Sequence, residues 1–164
     1  MTSEHSKQSD TKNPKSRPFP WRCPECGKKQ VRPASVSHTS EIKHDGRLYL
    51  VEVPKLRVPR CEACGELVFD NEADEQIAQA LREQLGLLSC RDVRRNREQL
   101  GLSQRQLAEY LGVAVETISR WETGALTQSR AMDRYLRVYF GVPEARAALL
   151  AEAMTAIASA NVPT

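Results

Sequence analysis

A chain of 164 residues has room for one ordinary domain or two small ones, and with 40% apolar but only 5% aromatic residues any single core is modest. The mean hydropathy of -0.52 and the lack of any apolar run near the roughly 18–20 residues of a membrane helix exclude a membrane protein. The first twenty residues contain no apolar stretch, which argues against an export signal, so the expectation is a cytoplasmic chain whose five cysteines are not disulfides.

The formal net charge of +3 is a cancellation. Residues 23–60 carry eight basic and four acidic groups, residues 61–88 one basic and seven acidic, and residues 89–140 nine basic and six acidic. An acidic segment between two basic ones predicts a chain with two kinds of partner.

In chain order, residues 1–20 are rich in Ser, Lys, Thr, Asn and Pro and read as a disordered basic tail. Strands are expected near 34–43 and 47–58, because RLYLVEV alternates and Asp45-Gly46 is a hairpin turn signal. Pro54 and Pro59 should disturb the second strand, and ELVFD reads as a further short strand. Asn71 is a candidate cap for a helix whose first turn is acidic and whose apolar stripe is Ile77, Leu81 and Leu85, with Gly86 ending it.

Ser89 with Asp92 forms a capping-box pattern for the next helix, closed by Gly101. Ser103 with Gln106 is a second one, for a helix to Leu111. Gly112 supplies a turn, and a short helix follows from about Ala114 to Glu122, ended by Gly124. Two more helices are expected near 128–140, with Met132, Leu136 and Tyr139 on one side, and near 143–160, with Leu150, Met154 and Ile157 as a thin stripe.

Two motifs carry chemistry. Cys23-Pro24-Glu25-Cys26-Gly27 and Cys61-Glu62-Ala63-Cys64-Gly65 are matching C-x2-C-G knuckles. A two-residue spacer lets both thiolates of a knuckle reach one ion, and four soft ligands suit a tetrahedral Zn2+. The glycine tolerates a left-handed turn and its N–H can point toward a sulfur. With all four positions filled by cysteine, the Zn2+ is structural, and the intervening hairpin brings the knuckles together. A thiol–disulfide enzyme would want one CxxC beside a βαβ unit, a pattern the chain lacks. Cys90 shares a helix face with Val93 and Arg97 and reads as a small buried side chain. His5, His38 and His44 read as surface residues.

The second motif is Ser103 to Glu122. Leu107, Ala108, Leu111, Val113 and Ile118 are apolar where two steeply crossing helices meet, with Gly112 at the turn. Such a pair can lay its second helix in the major groove of double-stranded DNA. Val115, Glu116, Thr117, Ser119 and Arg120 face outward, with Arg120 the candidate for a guanine contact and Glu116 for a cytosine amine or an ion pair with Arg120. Gln104 at the first helix start can hold a phosphate, and Arg105, Thr117 and Thr123 are further backbone candidates. Trp121 is expected to pack on the helix 128–140, and Arg94, Arg95 and Arg97 to form a solvated face.

The order CPECG, CEACG, an acidic helix and then VRRNREQLGLSQRQLAEYLGVAVETISRWETG resembles the MqsA-type (YgiT-type zinc finger) antitoxins over about residues 21–142. The second part alone is similar to the wide Xre/Cro family. The resemblance implies a non-enzymatic type II antitoxin and autorepressor: a zinc domain that binds a cognate toxin, typically an mRNA-cleaving RNase, and a helix-turn-helix domain that dimerises on a palindromic operator. It also implies that Cys23, Cys26, Cys61 and Cys64 hold the metal and that Arg120 reads bases. Where the family has a base-reading asparagine, this chain has Glu116. Its basic tail is extra, and few residues separate the acidic helix from the second domain.

The expected architecture is therefore α+β. It comprises the tail 1–20, a zinc-binding β domain with one helix over 21–87, and a five-helix Xre/Cro-type domain over 88–160. The homodimer is expected in the cytoplasm, on the nucleoid when bound to DNA. The main alternative is a zinc-containing Xre-family regulator without a toxin.

Overall fold

The computed structural model describes residues 18–160, apart from the side chains of residues 156, 157, 159 and 160. The expected tail therefore lies largely outside the described residues. Its last part does not: Phe19 stacks on Trp21 with ring centroids 4.3 Å apart.

The architecture is α+β, an antiparallel hairpin followed by six helices. Strand β1 spans Val31–His44 and β2 spans Arg47–Cys61, both longer than the sequence pattern suggests. Asp45 and Gly46 both have positive φ in the two-residue turn. The register runs Val36↔Leu56 but His38↔Val53, so Pro54 and Lys55 together oppose Ser37 in a bulge. An extra residue flips the alternation of a strand. Val51 and Val53 point inward before the bulge, and Leu56 and Val58 after it. The proline thus redirects β2 without ending it. Pro59 sits within the paired strand, opposite Pro33. The segment ELVFD forms only one bridge, Leu67 to Arg60, rather than a strand, because its chain turns at once toward the next helix.

Helix α1 spans Asn71–Leu85. Asp70, not Asn71, caps it, its carboxylate accepting the Ala73 N–H at 3.0 Å. Its buried Ala73 and Ile77 pack with Leu56 and Val58 of β2. Gly86 ends the helix at φ 64°, donating its N–H to Arg82 and Glu83 carbonyls.

Helices α2 (Cys90–Gln99), α3 (Gln104–Leu111), α4 (Val115–Thr123), α5 (Arg130–Gly141) and α6 (Pro143–Ala160) follow within a residue or two of expectation. Both capping boxes form, Ser89 with Asp92 and Ser103 with Gln106. One core joins Val93, Leu107, Ala108, Leu111, Ile118, Trp121, Leu136 and Tyr139. Trp121 and the α5 residues share that core, as expected of the tryptophan. On α6, Leu149 packs against the core, whereas Met154 is 66% exposed and the Ile157 side chain lies outside the described residues. Among the described residues no helix is long and apolar enough to cross a membrane.

Of the expected surface residues, Arg97 is buried and His38 and His44 are half-buried. Arg97 is only 8% exposed, because its guanidinium pairs with Glu122 of α4. The His44 side chain is 11% exposed beside Asp45, and His38 lies against Phe69 with ring centroids 5.2 Å apart. Cys90, expected to be buried, is half-buried.

Candidate metal centre and nucleic-acid interface

Each cysteine pair sits in a tight turn of the same construction. The first cysteine accepts the glycine N–H on its backbone carbonyl, Gly27 to Cys23 at 3.0 Å and Gly65 to Cys61 at 2.9 Å. Its own N–H donates to a carbonyl two residues beyond the second cysteine in one knuckle and in the other, Cys23 to Lys28 and Cys61 to Glu66, both 2.8 Å. Both glycines have positive φ, 71° and 81°, which a side chain would strain. The glycine N–H groups thus close the turns and do not face sulfur. The N–H groups aimed at sulfur come from Ala63 and Cys64 toward Cys61, and from Glu66 toward Cys64.

An arginine precedes each knuckle and closes it. Arg22 Nη1 donates to the Gly27 carbonyl at 3.0 Å, and Arg60 Nε to the Gly65 carbonyl at 3.3 Å. The repeated unit is therefore R-C-x2-C-G, one residue longer than the C-x2-C-G spacing.

The hairpin brings the two knuckles face to face. The four Sγ atoms lie within 4.8 Å of one another, with Cys23 to Cys64 at 3.6 Å and Cys26 to Cys61 at 3.7 Å. Those separations are too long for disulfides. A tetrahedron with metal–sulfur bonds of about 2.3 Å has an edge of roughly 3.8 Å, so the donor set fits a four-coordinate ion. Cys23 and Cys61 are buried, with Val31 between them in a small apolar cluster.

Hydrogen bonding among the thiols shifts Cys61 and Cys64 in opposite directions. Burial pushes Cys61 up, but the N–H groups of Cys64 and Ala63 and the neighbouring thiols outweigh it, bringing Cys61 down to about 7. For Cys64 the Glu66 N–H acts downward. Burial and the three other thiols prevail and push it up to about 12. Four thiolates in one place require a cation to offset their charge, and this cluster can hold a metal ion.

The second candidate site is built on α3 and α4. Gly112, at φ 68°, ends α3 and turns the chain so that α4 crosses it. Ile118 and Trp121 lock the inner face of α4 into the core. On its outer face Glu116 and Arg120 are exposed, one turn apart, and Thr117 and Ser119 are half-buried. The i,i+4 ion pairs among the described residues are Arg94–Glu98 and Asp133–Arg137, so Glu116 and Arg120 stand unpaired with each other. Thr123 is exposed, its hydroxyl donating to the Ser119 carbonyl at 2.9 Å. Val115 is half-buried against the core rather than outward. The α4 cap, Ala114, offers no side-chain bond; its carbonyl accepts the Thr117 N–H at 3.0 Å, which leaves the Val115 and Glu116 N–H groups without a capping side chain.

On α3, Arg105 is exposed. The Gln104 amide is not free, because its Nε2 donates to Glu122 Oε2 at 2.8 Å. Glu122 is thus shared between Gln104 and Arg97, and Arg97 Nη1 also donates to the Leu102 carbonyl at 2.7 Å. This buried network fixes the start of α3 against the end of α4. Of its members only Gln104 is a site candidate from sequence, and Arg97 reads there as solvated; the partners lie too far apart in the chain to form a local pattern.

The family model described as the antitoxin component of bacterial toxin-antitoxin system, MqsA, matches residues 21–150. The chain belongs to the MqsA antitoxin family. That match spans both candidate sites, and it gives this family member an antitoxin role with a toxin as partner. No individual relative matches among the curated proteins.

Proposed function

We propose that the chain is the antitoxin and DNA-binding autorepressor of a type II toxin–antitoxin pair, working as two domains, 21–87 and 88–160. The observation that carries the reading is the pairing of a locked inner face with an exposed Glu116–Arg120 outer face on α4, within a member of the MqsA antitoxin family. A helix held by Ile118 and Trp121 enters the major groove as a rigid body, with no loop to order on binding. There Arg120 donates two bonds to guanine O6 and N7, and Glu116 accepts from a cytosine amine. Thr117 and Ser119 flank these contacts. Arg105, Thr123 and the backbone N–H of Gln104 hold phosphates, which position the protein without reading sequence. Val115 serves as packing.

In this reading Cys23, Cys26, Cys61 and Cys64 hold one structural Zn2+, which supplies folding energy to a hairpin whose own apolar cluster is small. Arg22 and Arg60 brace the knuckles around it. The hairpin then presents its outer face to the toxin, an RNase. Leu48 and Leu50 on that face are 72% and 65% exposed, and an exposed apolar pair is what a protein partner covers. A homodimer sets two α4 helices about one DNA turn, ~34 Å, apart on a palindromic operator. Such a protein acts in the cytoplasm, on the nucleoid when DNA-bound, and regulates rather than catalyses.

The deciding experiment is a mobility-shift titration of the metal-loaded chain on duplex DNA from upstream of its own gene, with unrelated duplex as competitor. A specific complex that Arg120→Ala weakens by roughly 1–3 kcal/mol supports the reading. Equal affinity for both duplexes refutes it.

A further inference from the structure

We infer that Arg82 is a positioning residue for DNA reading, which fixes the carboxyl end of α4 from a helix belonging to the hairpin half of the molecule. Arg82 projects from the last turn of α1 and is 2% exposed. Its Nη2 donates to the carbonyls of Gly124 at 3.3 Å and Leu126 at 3.1 Å. Gly124 is the C-cap of α4, and the Leu126 N–H donates in turn to the Arg120 carbonyl at 3.1 Å. An unbroken path of two hydrogen bonds therefore leads from the Arg82 guanidinium to the backbone of Arg120.

The Gly124 and Leu126 carbonyls lie just past the end of α4, where the chain has left the helix ladder and they need other donors, and a charged donor shielded from water binds them more strongly than a neutral one. Arg82 Nε is buried and has no partner among the described residues, so the side chain tolerates an unmet donor to make the Nη2 contacts.

A second grip holds the other end of the same segment. Asp45, in the hairpin turn, accepts the Arg130 backbone N–H at 2.8 Å, with the Arg130 Nε 3.6 Å away. The stretch 124–130, which links α4 to α5, is thus clamped by α1 at one end and by the hairpin tip at the other. Because α1 also packs on β2 through Ala73 and Ile77, a partner seated on the hairpin acts one helix away from the DNA-reading element.

The inference rests on the DNA-reading function proposed above, and its test separates the two. Arg82→Met keeps the unbranched stem and removes the guanidinium. Asp45→Gly removes the second grip at a position whose φ of 49° suits glycine. In hydrogen exchange on the full metal-loaded chain, Arg82→Met should speed the amides of 120–126 by about tenfold, with those of Val93 and Leu107 unchanged. Binding to duplex DNA from upstream of the gene should fall by about tenfold at unaltered metal content, with partial rescue by Arg82→Lys. Asp45→Gly should act in the same direction on 126–130. Unchanged exchange at 120–126, or a uniform rise across α2–α5, overturns the inference. If the wild-type chain binds no such duplex, the DNA-reading function fails, and the exchange pattern alone decides whether Arg82 holds α4.

Discussion

Arg97 on α2 and Glu122 on α4 form a two-point ion pair, Nε to Oε1 at 2.5 Å and Nη2 to Oε2 at 2.9 Å, with side chains only 10% and 3% exposed. The hydrogen bond to Glu122 raises the Arg97 pKa, against the downward pull of burial, so the guanidinium stays charged inside the protein. Glu122 also accepts from Gln104, which ties three helices at one carboxylate.

Breaking that pair leaves a buried charge without its partner. Glu122→Leu should cost about 3–5 kcal/mol of unfolding free energy, and the double variant Arg97→Met, Glu122→Leu should recover much of the loss. Urea denaturation of the three proteins measures both. A double variant as unstable as the single one would show that Arg97 and Glu122 act separately.

The capping box of α2 predicts an acid-sensitive contribution. The hydrogen bond from Ser89 holds the Asp92 carboxyl below the usual carboxylate range, aided by Arg95 and Arg137 and opposed by burial. A depressed carboxylate contributes stability above its unfolded value and loses it as pH falls through the folded one. Asp92→Ala should therefore cost about 1 kcal/mol at pH 7, and the difference should shrink below about pH 4. Denaturation midpoints across that range test the sign. A gap that widens on acidification would contradict it.

Much of the fold was legible because it is written locally. The two capping boxes, the glycines at 86, 112 and 124, the hairpin turn and the two knuckles each lie within about five residues of chain. What escaped was decided at long range. Arg97 looks like one more charge in a run of arginines, and only Glu122, 25 residues away, gives it a reason to be buried. Arg82 reads as the lone basic group of an acidic helix, while its acceptors lie more than 40 residues on. Pro54 was visible as a disturbance, but whether it ends a strand or flips its faces depends on the register with β1. At α1 the cap moved by one residue, from Asn71 to Asp70, a choice between two competent neighbours.

Metal removal should divide the molecule. Structural zinc supplies folding free energy, so chelation should expose residues 21–70 to protease while α2–α5 keep their helical dichroism. Cys64, with its thiol pushed up to about 12 by burial and the neighbouring thiols, has to lose a proton on loading, so the apparent metal affinity should rise with pH. Isothermal titration in buffers of different ionisation enthalpy counts the protons released. A chain whose proteolysis pattern ignores chelation would show that the cluster does not hold the hairpin together.

If the outer face of α4 reads DNA as proposed, Arg120→Ala should cost roughly 1–3 kcal/mol in specific binding and relax selectivity at one base pair. Arg105→Ala should weaken all duplexes alike and flatten the salt dependence, since a phosphate contact carries no sequence information. Titrations at several salt concentrations on matched and mutated duplexes separate these outcomes. Loss of selectivity in Arg105→Ala with none in Arg120→Ala would reverse the assigned roles.

The central claim is that this chain neutralises a toxin, and co-expression with the product of the adjacent gene tests it most directly. The account predicts that the neighbour alone arrests growth, that this chain restores it, and that the two co-purify as a stable complex. A neighbour that neither arrests growth nor binds the metal-loaded chain would contradict it and leave a zinc-containing regulator without a toxin.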